Sequence, residues 1–187
     1  WTLQGTDKAF NLPQLVGERV WWIEYTNADG TDSLLRSASL SEGRSYPPVP
    51  LDNRDWIHYW PGMSASGVVA WIVRGSSMPD LGTLHLRLPD GRRFHLLERA
   101  RKMSFIGDLL LYDSYVETGG SLWEVITAVD VETRTQWVVE RSDVGDAGDS
   151  WQMSIIRSRP TNTLVLQRPY RESGKLAGLE VKLVELP

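Results

Sequence analysis

The chain has 187 residues, 41% apolar and 24% charged, with a net charge of −4 and no cysteine. That length supports one domain with a sizeable core, and the missing cysteines exclude disulfides, thiolate catalysis and Cys-based zinc sites. An acidic chain without a basic stripe argues against a nucleic-acid partner, and no apolar stretch approaches the ~20 residues of a membrane-spanning helix.

The chain opens on Trp1 without Met and without a signal-like segment, which reads as a processed or trimmed chain. Nothing in the composition fixes a compartment. Helical periodicity is nearly absent, and only 12–17 and 98–102 have room for a turn or so of helix. Strands are expected near 19–26, 33–40, 55–60, 67–74, 82–88, 92–98, 108–116, 121–131, 135–141, 150–158, 162–170 and 177–186. The stretch Tyr46-Pro47-Pro48-Val49-Pro50 reads as a loop or a poor edge strand. With no linker in view, residues 1–187 are expected to form a single all-β domain.

A pattern recurs among these strands. A continuous apolar run begins near residues 20, 68, 109 and 164, at spacings of 48, 41 and 55 residues. An alternating strand follows each run. Three of the alternating strands lead into an acidic turn: Ser41-Glu42-Gly43-Arg44, Pro89-Asp90-Gly91-Arg92 and Val131-Glu132-Thr133-Arg134. The spacing is close to that of four-stranded propeller blades, roughly 40–50 residues. Continuous apolar strands suit sheets stacked face to face, because both faces are then buried. The expected fold is a small β-propeller of about four blades, closed by a strand from the N-terminus. The chain could also be half of a larger ring.

The alternative is an up-and-down barrel, whose strands should alternate along their length. Leu15-Val16-Gly17-Glu18-Arg19-Val20-Trp21 is loosely similar to the opening of lipocalin-like barrels, where a Gly precedes an aromatic first strand. That likeness implies a barrel and assigns no ligand site.

Three places are candidates for chemistry. In the first, Trp56, Tyr59 and Trp60 stand beside Arg54, Asp55 and His58. Aromatic faces there could stack on a flat ligand such as a sugar, and the polar residues could orient it. His58 is also the candidate general acid/base of an enzymatic version. The second is Asp143, Asp146 and Asp149, three carboxylates at intervals of three with glycines between them, a spacing that could converge on calcium. No other cofactor is expected. The third is the carboxylate set Glu24, Asp113, Glu124 and Asp130, any pair of which could do glycosidase-type acid/base work.

The Asp90-Gly91 hairpin, read as a two-residue turn, pairs Leu86 with His95 and His85 with Leu96. It therefore sets His85 and His95 on opposite faces, unable to share a metal. Trp21, Trp22, Trp71, Trp123 and Trp137 are expected in the core. The leading functional expectation is a non-enzymatic binding module that presents loops and an aromatic patch to a protein or glycan. The alternatives are a barrel that carries, or acts on, a small apolar molecule, and a non-catalytic propeller portion of a larger protein. Self-association fits the first and last of these.

Overall fold

A computed structural model describes residues 13–25, 33–51, 57–74, 81–144, 152–157, 162–173 and 175–186. The chain divides into two compact units, Trp1–Glu98 and Arg99–Pro187. All the regular structure among the described residues is β.

In the first unit, β1 (Gln14–Val16), β2 (Arg19–Tyr25), β3 (Ser33–Ser39) and β4 (Val49–Leu51) form one antiparallel meander in chain order. Next come β5 (Ile57–Met63), β6 (Val69–Arg74) and β7 (Gly82–Arg87), again in order. They lead into the 14-residue strand β8 (Arg93–Ile106). In the second unit the later part of β8 starts a ladder with β9 (Leu109–Thr118), β10 (Ser121–Asp130) and β11 (Gln136–Asp143). The last sheet is β12 (Gln152–Arg157), β13 (Asn162–Glu172) and β14 (Lys175–Glu185).

The apolar runs of the sequence are β2, β6, β9 and β13, each the second strand of its ladder. The repeat therefore starts one strand earlier than its most visible member. A period fixes the spacing of a repeat but not its phase. The apolar runs are continuous because both of their faces are covered. Trp21, Trp22 and Ile23 are all buried, as are Val69 to Ile72 and Leu110 to Asp113. Trp21, Ile23, Leu35 and Leu51 from β2–β4 pack with Met63, Val69 and Trp71 from β5–β6. In the second unit Ile106, Leu111, Ile126 and Ala128 pack with Leu164, Leu166 and Leu186. Both cores are sheet-on-sheet. A barrel would instead run a single ladder through every strand, and these strands fall into three separate sheets.

The three acidic turns occupy one structural position, the link from third to fourth strand of a ladder. Each has a left-handed residue: Gly43 (φ 66°), Gly91 (φ 90°) and Arg134 (φ 62°). Glycine takes that conformation without a Cβ clash. At Arg134 the turn is held by the Asp130 carboxylate, which accepts from the amides of Glu132 and Thr133 at 2.9 Å each. These amides, Thr133 first, hold the Asp130 carboxyl below its ordinary value. Asp130 is thereby accounted for as a turn cap.

Two local expectations are corrected. The described part of 12–17 is not helical: Gln14–Val16 is β1, paired with β2 through Leu15↔Val20. Residues 98–102 lie within β8, where the irregularity that looked helical is a left-handed Arg99 (φ 69°) and a β-bulge at Arg101. The short Val49–Leu51 strand is the poor edge strand expected beside the prolines. The N-terminal segment that was expected to close the ring lies outside the described residues.

Candidate functional site

Of the residues selected from sequence, Arg54, Asp55 and Trp56 lie outside the described residues, as do Asp146 and Asp149. His58, Tyr59 and Trp60 fall on β5, and their side chains lie outside the description. Asp143 is exposed at the end of β11, opposite Trp123.

The carboxylates are placed more fully. Asp113 and Glu124 sit on β9 and β10 with 1% and 3% of their side chains exposed, and both reach Arg101 on β8. The β-bulge explains how. Ala100 opposes Ser114 and Lys102 opposes Asp113, which leaves Arg101 as the extra residue, and a bulge re-aims its side chain. Arg101 Nε donates to Asp113 Oδ2 at 2.9 Å, Nη1 to the Tyr115 hydroxyl at 3.0 Å, and Nη2 to Glu124 Oε1 at 2.5 Å. A further bond joins Nη2 to Asp113, and the Lys102 amide donates to Asp113 Oδ1 at 2.6 Å.

Burial pushes the Asp113 carboxyl above its ordinary value, against the pull of Arg101. Burial, and then the charge of Arg101, push the Lys102 ammonium down. The arginine itself stays protonated. Two carboxylates sharing one guanidinium in the interior, closed to solvent, form a structural ion cluster rather than an acid/base pair open to substrate. Glu24 is spoken for in the same way: it accepts from Arg36 Nε at 2.8 Å across β2 and β3.

The open chemistry of the first unit lies on the β7–β8 hairpin, and there the expected register is wrong by one residue. The Leu88 amide donates to Arg92 O at 2.9 Å and the Gly91 amide to Leu88 O at 2.9 Å. The loop is therefore three residues, Pro89-Asp90-Gly91, ending in a left-handed glycine bulge. Pro89 is the reason. A two-residue turn would make Pro89 and Arg92 the closing pair, and proline has no N–H for that pair.

The corrected register sets His85 opposite His95 on one face. Their rings meet edge-on at 4.5 Å, and His85 stacks on the buried Trp71 at 5.4 Å and 15°. The expectation that the two histidines point to opposite faces is overturned. The same register sets Arg87 opposite Arg93, two residues along each strand and on the same face. Arg93 also donates to Pro50 O of β4 at 3.2 Å. Arg93 and His95 are exposed, and His85 and Arg87 are half-buried.

Cations also gather at the turn end of these sheets. Arg19 lies 4.1 Å over the Tyr46 ring and Arg44 lies 5.4 Å from it, with Arg44 paired to Glu42 at 2.6 Å. A Cβ placed on Gly67 would lie 3.4 Å from the Arg19 guanidinium and 3.8 Å from Pro89, so Arg19 approaches the hairpin turn. A hydrogen bond from Arg19 is the chief cause that holds the Tyr46 phenol below its ordinary value.

Among the described residues, no cluster of three or more His, Asp or Glu is arranged to hold a metal. Nor is any helix among them long and apolar enough to cross a membrane.

No family model matches the chain, and no curated protein matches it. Solved structures do. The β-propeller domain of the trilobed protease from Pyrococcus furiosus, described as having an open velcro topology, superposes with a TM-score of 0.58 at 15% identity. The match covers 96% of this chain and 57% of that one. The Pyrococcus horikoshii acylaminoacyl peptidase gives 0.57 at 12% identity, over 95% of this chain and 31% of that one. The tricorn protease gives 0.51 at 12%, over 86% and 15%. The chain has a β-propeller fold, and it spans less than two thirds of each of these proteins.

Proposed function

We propose that this chain is the non-catalytic propeller portion of a larger protein and works as a binding module for polypeptide. The observation that carries the proposal is strand β14. One face of it meets the β8–β11 sheet: Val184 packs into the core of the second unit and Lys182 pairs with Glu140. On the other face Leu179, Val181 and Leu183 stand at alternate positions and are 59%, 55% and 67% exposed. Apolar residues on both faces mark a strand meant to be covered on both sides. A long apolar edge left open is an association site.

The occupant we assign is a further antiparallel β-sheet, stacked as the other sheets stack. Burying each of these side chains would contribute roughly 1.5–3 kcal/mol. The share of the Pyrococcus furiosus propeller domain matched by this chain, 57%, supports the reading, because more propeller lies beyond the match in that protein.

The test is the double variant Leu179→Lys/Leu183→Lys, studied by calorimetry and sedimentation. The isolated chain is expected to self-associate through this face. The variant should be monomeric with a melting temperature within about 2 °C of the parent. A large fall in melting temperature would mean that the face is already covered, and would refute the reading.

A further inference from the structure

We propose that the open edge of β14 takes an extended, uncharged segment of another polypeptide as a fourth, antiparallel strand. The proposal rests on the reading of β14 as an open strand given above, and deepens it. It concerns the hydrogen-bonding edge of the strand and not its outer face.

Each earlier ladder has four strands: β1–β4, β5–β8 and β8–β11. The last has three among the described residues, and β14 pairs there with β13 alone. The third strands of the earlier ladders are well covered. Ser33, Leu35 and Ala38 of β3 are buried, as are Gly82, Leu84 and Leu86 of β7 and Glu124 to Val129 of β10. β14 holds the same place in its ladder, yet every residue from Lys175 to Leu183 is exposed. Such an edge presents a row of backbone donors and acceptors that a further strand can complete. In the earlier ladders the fourth strand runs antiparallel to the third, as in Leu35↔Val49 and Val125↔Arg141.

The floor beside this edge is also incomplete. Trp137 and Val139 of β11 pack against the core of the second unit but stay half-buried. Lys182 of β14 reaches Glu140 of β11, so a strand added to β14 would come over the core side of β11. Its inward side chains would add to the cover of Trp137 and Val139.

Charge then selects the kind of strand. Both charged side chains at the centre of the inner face of β14 are already matched. Arg168 Nε donates to Glu180 Oε2 at 2.6 Å, and Lys182 pairs with Glu140. An incoming charge of either sign would have to compete with one of these pairs. On the outer side, Leu179, Val181 and Leu183 favour apolar cross-strand neighbours. The fitting segment therefore alternates β-branched apolar residues with small polar ones, and has no proline.

The experiment is hydrogen exchange of the isolated chain, read by mass spectrometry at a dilution where it is monomeric. It is run with and without the peptide Thr-Val-Thr-Val-Thr-Val-Thr. The β14 amides should exchange fast in the free chain, and saturating peptide should slow them by about tenfold or more. The amides of β2 and β3 should not change. The same peptide with proline at its centre should bind about tenfold more weakly or worse, since it loses an N–H and the extended conformation. Versions with Lys or with Glu at the two central inward positions should both bind more weakly than the Thr form. Slow exchange of β14 in the free chain would mean that its edge is already paired, and would overturn the proposal. So would an absence of protection by the Thr-Val peptide, equal protection by the proline form, or tighter binding of a charged form. The melting test of Leu179→Lys/Leu183→Lys reads the outer face instead, so a closed edge refutes this inference without touching that reading.

Discussion

Replacing Arg101 with Met would strip the counter-charge from two buried carboxylates at once. Arg101 makes side-chain bonds to Asp113, Glu124 and Tyr115, and the two acids are 1% and 3% exposed. Methionine keeps much of the volume and none of the donors. Removing one partner of a buried ion pair costs about 3–5 kcal/mol, because the remaining charge is left desolvated. With two acids stranded, the loss at neutral pH should sit at the upper end of that range.

The sign of the pH dependence follows. In the variant both carboxyls have folded-state values above their unfolded ones. Such an acid favours the folded state at low pH, and that contribution is lost as pH rises through the folded-state value. The deficit should therefore shrink as pH falls from neutral toward about 5. The parent should show a weaker trend of the same sign, since burial already raises Asp113 above its ordinary 3.8. Urea unfolding at several pH values, monitored by tryptophan fluorescence, measures this directly. The triple variant Arg101→Met/Asp113→Leu/Glu124→Met should recover most of the loss. An unchanged midpoint for R101M at neutral pH, or a deficit that grows toward acid, would refute the reasoning.

Other predictions concern packing. A Cβ on Gly82 would lie 2.4 Å from Val73 O and 2.6 Å from Ile72 Cγ2, so Gly82→Ala should cost about 1–3 kcal/mol in urea unfolding. The indole nitrogens of Trp21 and Trp71 are buried without a partner. Trp71→Phe, which removes one such N–H and keeps an aromatic ring against His85, should change stability by less than about 1.5 kcal/mol, while Trp71→Ala should cost about 3–5 kcal/mol. Calorimetric unfolding of the two variants side by side checks that contrast. Gly91→Ala should cost about 1 kcal/mol, because its φ of 90° is strained for any residue with a Cβ.

The sequence made the strand content, the repeat and the recurring turn legible, because periodicity and turn chemistry are local. It did not show β1 as a paired strand, since a segment of three residues carries no readable period. The phase of the repeat also stayed hidden, as it depends on where hydrogen bonding passes from sheet to sheet. The acids were found, but their shared partner was not. Asp113 follows Leu109-Leu110-Leu111-Tyr112, and a charge inside a run buried on both faces was the available sign that it needed an internal partner. That the partner is Arg101 depends on a bulge, and bulges leave little trace in composition. The pairing of His85 with His95 was missed through one premise, that Asp-Gly between alternating strands closes a two-residue turn. Pro89, immediately before it, was the signal that would have corrected the register.

Pro89 thus acts as a selector between two surfaces that the same strands could present. Were an ordinary residue to stand there, the shorter turn would become available. His85 would then face Leu96, Arg87 would face Phe94, and the His–His and Arg–Arg pairs would be dispersed over mixed pairs. The composition of β8 would be untouched, yet the side chains it shares a face with would be exchanged. In evolutionary terms, the face this hairpin presents can be rewritten by one substitution in its turn. Variation among related chains should therefore be read at the turn before it is read along the strands.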